Sequence, residues 1–281
     1  MKNNKILLTG IAGFLAPSLY DELTKDHNIT TTGRNSGDIK CDLENEGQVA
    51  ALFADLSPDI IIHTAAMTNV DECEKNPKKA HSANAIMVKN IVSHMGEQSR
   101  IVLFSTDQVY PDHGGPHIES AIGPINEYGK SKLAGENYAL EHKNSLIIRT
   151  NFFGSPKAED RSSLSDWIID SLKKQAPITL FSDILFSPLH VKTLSKLTEQ
   201  LIKNNASGVF NVGCRNGASK SDFGLAIAKK YSLPTNNVNI GLSSSISNRA
   251  KRPHDMRMNI DRIESFLNKR MPTLEEEINK L

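Results

Sequence analysis

Short apolar runs at residues 5–9, 28–32, 38–41, 58–63, 100–105 and 145–150 alternate with segments whose apolar residues recur at helical spacing. No other feature of the chain constrains its fold as much. Strand, helix and strand at steady intervals make parallel pairs joined by crossovers, so the pattern predicts a doubly wound α/β sheet. The run Pro58-Asp59-Ile60-Ile61-Ile62-His63 is apolar almost throughout, as strands covered on both faces are. Helices are expected over 48–56, 77–98 and 127–143, the second with Ala80, Ala83, Met87, Val88, Ile91, Val92 and Met95 on one face. Past residue 150 the rhythm changes. A polar loop at 155–163 precedes helices at 164–174, 191–203 and 219–231, with a short strand at 208–212. A polar, basic stretch at 243–257 leads into a final helical segment.

The first strand runs into Gly10-Ile11-Ala12-Gly13-Phe14-Leu15-Ala16, which opens the first helix. Strand, glycine turn and helix is the setting in which such glycines cradle a dinucleotide. Gly10 makes the tight turn, Gly13 lets the backbone approach a pyrophosphate, and Ala16 still permits close helix–strand packing. The second strand ends in Gly33-Arg34, and positions 29 to 37 hold no acid to bind a ribose 2′-hydroxyl. Arg34 therefore points to the 2′-phosphate of NADP, with NAD left open. Thr64-Ala65-Ala66 closes the fourth strand with small residues, which leaves room for a cofactor to cross. The expected division is a dinucleotide-binding domain over 1–150 with 188–213, and a substrate-binding lobe over 151–187 and 214–281.

Composition excludes several classes. With 281 residues, 38% hydrophobic and 23% charged, the chain is neither disordered nor fibrous, and it holds no apolar run long enough to span a bilayer. A formal net charge of +1 argues against a dedicated nucleic-acid binder. The start of the chain has no signal-peptide pattern, and Cys41, Cys73 and Cys214 lie far apart, which suits free thiols in a reducing cytoplasm. No metal site is expected. His113 and His117 are four apart but in a Gly-Pro loop, and His63 at the end of an apolar strand reads as a core histidine. Asn84 is a polar residue inside an apolar helical pattern and needs partners if buried.

Tyr128 and Lys132 stand four apart on an expected helix and so share one face. Ser105-Thr106-Asp107 follows an apolar run and falls at the carboxyl end of a strand, where open α/β sheets place their chemistry. A nearby ammonium and hydroxyl make a phenol a usable acid or base. The pair alone is weak, because Tyr-x-x-x-Lys recurs on solvated helices.

Together these motifs resemble the extended short-chain dehydrogenases/reductases, and within them dTDP-4-dehydrorhamnose reductase and related sugar-nucleotide reductases. The resemblance rests on residues 65–71 (Ala65 to Asp71), 104–110 (Phe104 to Tyr110) and 128–136 (Tyr128 to Glu136), and it extends through Ile148-Arg149-Thr150 and residues 252–257. It implies Thr106, Tyr128 and Lys132 as the catalytic group. Tyr128 protonates a carbonyl, Lys132 lowers the phenol's pKa and holds the nicotinamide ribose, and Thr106 fixes the carbonyl. It further implies a cofactor site of Gly10, Ala12, Gly13, Phe14, Leu15, Arg34, Asp42, Leu43, Ala65, Ala66, Thr68, Asn84 and Ser105 with Tyr128 and Lys132. The implied substrate site is Thr68, Val70, Thr106, Asp107, Asn151, Phe152 and Arg257, with Arg252 as a second cation. The implied activity is NADPH-dependent reduction of the 4-keto group of a 4-keto-6-deoxy sugar nucleotide. Two alternatives are an epimerase with bound NAD and a non-catalytic NADP-binding regulatory subunit like that of methionine adenosyltransferase. A homodimer is left open. Asn151-Phe152-Phe153 stands where rhamnose-pathway reductases commonly carry a Trp, and Gln108 stands where dehydratases carry a Glu, which disfavours dehydration.

Overall fold

A computed structural model describes residues 3–155, 163–247 and 249–281. The first half builds β1 (Lys5–Thr9), α1 (Ala16–Leu23), β2 (Asn28–Gly33), β3 (Ile39–Lys40), α2 (Glu46–Asp55), β4 (Ile60–His63), α3 (Val70–Lys75) and α4 (Pro77–His81). It continues with α5 (Met87–His94), β5 (Arg100–Thr106), α6 (Glu127–Leu140) and β6 (Ser145–Thr150). The second half adds β7 (Phe152–Phe153), α7 (Leu164–Lys173), β8 (Ile178–Phe181), β9 (Leu185–Phe186), β10 (Leu189–His190), α8 (Val191–Lys203) and β11 (Gly208–Val212). β12 (Ala218–Ser219), α9 (Lys220–Lys230), β13 (Val238–Gly241), α10 (Asp261–Leu267) and α11 (Leu274–Ile278) complete it.

Seven strands form one parallel sheet in the order β11-β6-β5-β4-β1-β2-β3. The order reverses between β1 and β4, and the crevice at their carboxyl ends is where such sheets take ligands. Alternation along the strands sorts two cores. Ile6, Leu8, Ile62, Val102 and Ile148 pack under α1 and α8, while Leu7, Ile61, Ile101, Leu103 and Ile147 pack under α2, α5 and α6. The sheet is therefore doubly wound, as the alternation of runs predicts. A third core of Phe153, Ile168, Leu172, Leu180, Phe186, Phe223 and Ile227 holds the smaller C-terminal lobe, where strand pairs β10-β7, β12-β9 and β13-β8 are only two strands wide.

Several boundaries differ from expectation for local reasons. The helix expected over 77–98 is three pieces, with a π turn at Ser82–Ile86 between α4 and α5. The wide turn carries Asn84, 1% exposed, inward. There Oδ1 accepts from the Met67 amide (2.8 Å) and Nδ2 donates to the Met67 carbonyl (3.0 Å) and Ser131 Oγ (2.9 Å). The helix expected from 219 begins at Lys220, because Ser219 is its cap, in a reciprocal capping box with Asp222. The final segment is two helices, and α3 has no counterpart among the expected elements. Of the loop expected over 155–163, residues 156–162 lie outside the described residues, and Ser163 caps α7. Among the described residues no helix is long and apolar enough to cross a membrane.

Candidate active site

The glycine turn sits against the end of β4. Gly10 has φ +77°, and a Cβ there would lie 2.7 Å from the Ala65 amide nitrogen and 2.8 Å from Thr64 Oγ1. Only glycine makes this turn and this approach together. The amides of Ala12, Phe14 and Leu15 find no backbone acceptor among the described residues, so the loop presents free donors at the start of α1. A pyrophosphate needs such donors, and the cradle fits one. Leu15 and Leu43 turn their own side chains into the two cores, so any role in binding falls to their backbones. Phe14 packs on Phe152, ring centroids 5.3 Å apart, which joins the cradle to the first strand of the C-terminal lobe.

Thr106 ends β5 and caps a 3₁₀ turn, Asp107–Val109, its Oγ1 accepting from the Gln108 amide at 3.2 Å. Tyr128 enters from α6, whose first turn is pinned by Asn126. Asn126 Oδ1 accepts from the Gly129 amide (2.8 Å), and Nδ2 donates to Gln108 Oε1 (2.8 Å) and the Lys251 carbonyl (2.9 Å). Gly129 allows the helix to abut that turn, since a Cβ there would lie 2.2 Å from the Gln108 carbonyl oxygen. These contacts bring the Tyr128 phenol beside the Thr106 hydroxyl. Burial pushes the phenol above its ordinary pKa, Asp107 and Cys73 push the same way, and Thr106 opposes them. Lys132, 4% exposed, donates to the Phe104 carbonyl at 2.7 Å. Burial lowers its ammonium to about 8, against a raising pull from Glu136. With Lys132 on that carbonyl, its lowering of the phenol remains an implication of the resemblance.

Asp107 is 1% exposed and accepts from Thr106 Oγ1 (3.1 Å) and Asn151 Nδ2 (2.9 Å). Burial raises its carboxyl to about 6, and the two hydrogen bonds and Lys220 hold it from going further. Ser105 turns to the opposite face of β5, where its hydroxyl bonds Glu136, which also pairs with Arg149 at 2.6 Å. Asn84 likewise spends both ends of its amide on Met67 and Ser131, so both residues support the site's walls. Ala66 is half-buried beside the cradle, Thr68 is exposed, and Val70 begins α3. Arg34 follows β2 directly and pairs with Asp42 (3.1 Å) and Glu44 (2.5 Å).

Arg257 is placed elsewhere. Asp255 holds its guanidinium at 2.9 and 2.7 Å, and it lines a cavity of about 340 Å³ with Arg215, Asn216 and Glu264. Thr106, Tyr128 and Lys132 are not among that cavity's walls. Arg252 instead forks onto Asp71 of α3 (2.9 and 3.2 Å).

Lys220, Arg249 and Asn126 carry no sequence motif that marks them as parts of the site. Lys220 lies over the Phe186 ring (5.2 Å to centroid) and interacts with Asp107, Arg252 and Arg249. Its only local signal is a helix start. His63 is 1% exposed, with Nδ1 on Thr9 Oγ1 at 2.8 Å and Nε2 without a partner; burial lowers it to about 3, so it is a neutral core histidine. His117 stacks on Tyr110, and among the described residues no cluster of His, Cys, Asp or Glu could hold a metal.

Residues 4–281 match the family model described as RmlD substrate binding domain. The chain belongs to that family. It is 28% identical over 273 residues to dTDP-4-dehydrorhamnose reductase of Escherichia coli (strain K12), covering 92% of this chain and 90% of that one. A crystal structure of dTDP-4-dehydrorhamnose reductase from Bacillus anthracis in complex with NADP superposes with a TM-score of 0.90 at 26% identity, over 99% and 98% of the two chains. A hypothetical dTDP-4-dehydrorhamnose reductase from Sulfolobus tokodaii gives 0.85 at 30% identity, over 96% and 97%. The resemblance carried by the motifs is thus borne out along the whole chain. At the level of the family, the protein is dTDP-4-dehydrorhamnose reductase-like, of the extended short-chain dehydrogenase/reductase type.

Proposed function

We propose that the chain uses NADPH to reduce the 4-keto group of a 4-keto-6-deoxy sugar nucleotide. One observation carries the reading: the Tyr128 phenol, on the helix face it shares with Lys132, lies beside Thr106 at the carboxyl edge of the sheet. Burial keeps that phenol protonated, and reduction of a carbonyl needs a proton donor. The reduced nicotinamide would supply the hydride to the carbonyl carbon. Thr106 Oγ1 orients the carbonyl oxygen, and the proton on Tyr128 Oη passes to it as the new hydroxyl forms. Lys132 offers a buried ammonium, already fixed on the Phe104 carbonyl, to the nicotinamide ribose. Gly10, Ala12, Gly13 and Phe14 would cradle the pyrophosphate.

The cations support the substrate class. Lys220, Arg249 and Arg252 stand close enough to repel one another, beside Asp107 and Asp71. That group carries more positive than negative charge, which suits a diphosphate. Thr68, Val70, Asn151 and Phe152 would meet the sugar, and Gln108, unable to serve as an acid or base, leaves reduction rather than dehydration. The setting proposed for this work is a reducing cytoplasm, which suits the free thiols of Cys41, Cys73 and Cys214.

The test is net oxidation of NADPH against a panel of 4-keto-6-deoxy nucleotide sugars. Stoichiometric oxidation with formation of the 4-hydroxy sugar is expected. Interconversion of sugar epimers without net oxidation, or tight cofactor retention with no turnover on the whole panel, contradicts the reading.

A further inference from the structure

Arg34 follows the carboxyl end of β2, the place from which a side chain reaches the adenosine ribose of a bound dinucleotide. Here its guanidinium is already engaged. A single nitrogen, Nη2, donates to both Asp42 Oδ1 (3.1 Å) and Glu44 Oε1 (2.5 Å). Nε and Nη1 have no partner among the described residues. The trio has one formal positive and two formal negative charges.

Both acids are held by a further donor, and the one on Glu44 is a side chain. Its other oxygen, Oε2, accepts from Ser82 Oγ at 2.6 Å, at the start of the π turn. Its amide donates to Asp42 Oδ1 at 3.1 Å, and Asn90 Nδ2 reaches its carbonyl at 3.3 Å. The carboxylate is therefore a fixed group and not a solvated side chain that swings away when another anion arrives.

A 2′-phosphate approaching Arg34 gains the guanidinium's free edge, a bidentate site for its oxygens. It also meets Glu44, which competes for the same cation and repels the phosphate. A ribose bearing a plain 2′-hydroxyl pays no such repulsion and can donate to the same carboxylate. We propose that Glu44, clamped by Ser82, is a selectivity residue that limits the chain's preference for NADPH over NADH. Arg34 favours the phosphate, Glu44 opposes it, and the balance between them lets both dinucleotides bind. The inference rests on the cofactor reading above.

The test is fluorescence titration of the whole chain with NADPH and NADH, read as the ratio Kd(NADH)/Kd(NADPH). Glu44→Gln keeps a partner for Ser82 while removing the charge, and it should raise that ratio by about two- to fivefold, as expected for a partly exposed charge near a phosphate. Ser82→Ala, which unclamps Glu44 with little risk to folding, should raise it less and in the same direction. Arg34→Ala should lower it. If both dinucleotides bind and the ratio is unchanged or lower in Glu44→Gln and Ser82→Ala, the selectivity role is overturned. If neither dinucleotide binds the wild-type chain, the cofactor reading itself fails.

Discussion

Asp107 shows how single residues carry conflicting demands at this site. Its carboxyl is buried and raised to about 6, so at neutral pH the fold holds a carboxylate that burial disfavours. Between its unfolded value near 3.8 and about 6, the folded chain binds a proton that the unfolded chain has released. Stability from this group is complete below that window and is lost as pH rises through about 6. The loss is on the order of 2–3 kcal/mol at most, at 1.36 kcal/mol per pKa unit. Replacing it with a neutral amide removes the dependence, so the melting temperature of Asp107→Asn minus that of wild type should rise from pH 4 to pH 7. A difference that stays flat or falls would contradict the account. Lys132 is poised in the opposite sense. Its ammonium, lowered to about 8, is present at neutral pH and titrates away just above it.

At the scale of elements, α6 is the part that makes the site. Tyr128, Lys132 and Glu136 recur at helical spacing on it, and Glu136 is the anchor: fully buried, it accepts from Ser105 of β5 and from Arg149 Nε (3.0 Å) and Nη2 (2.6 Å) of β6. Ser105, Arg149 and Asn211 lie in direct register across β5, β6 and β11, and Tyr110 bridges the last two through its hydroxyl. Removing one charge of a buried pair leaves the other uncompensated, typically at about 3–5 kcal/mol. Glu136→Gln should therefore lower unfolding free energy by about that amount in urea. It should also shift the alkaline limb of cofactor binding to lower pH, because Lys132 loses the group that holds its pKa up. A stable variant with an unmoved limb would contradict the anchoring role. Much of this element was legible in the sequence, since helical spacing alone puts Tyr128 and Lys132 on one face, and β6 and β11 sit where their apolar runs end. What fixes α6 in place was not. Asn126 reaches the Lys251 carbonyl 125 positions away, Lys220 approaches Asp107 from another lobe, and the π turn at Asn84 answers contacts with Met67 and Ser131. Pairings at such separations leave no local periodicity to read. Arg257 was legible only through the motif around it, and its pairing with its own neighbour Asp255 was not.

For the molecule as a whole, the sheet supplies a cofactor crevice at the switch between β1 and β4, and the C-terminal lobe covers it from the other side through Phe152 on Phe14. The two halves contribute different information. In the proposed function the sheet, the glycine cradle and α6 would carry the reduction. In that function Lys220, Arg249, Arg252 and Asn151, all from the later part of the chain, would select what is reduced. Of the strand pairs of the second lobe, β10-β7 and β12-β9 escaped the reading of periodicity because two-residue strands have none, whereas the long parallel sheet was evident from its alternation. The central claim is that Tyr128 gives the proton while hydride arrives from the cofactor. It is tested most directly by the turnover number for NADPH oxidation on a 4-keto-6-deoxy nucleotide sugar, wild type against Tyr128→Phe. Phenylalanine keeps the ring and removes only the hydroxyl, so turnover should fall by about 100-fold or more; a Tyr128→Phe variant that turns over at the wild-type rate would contradict it.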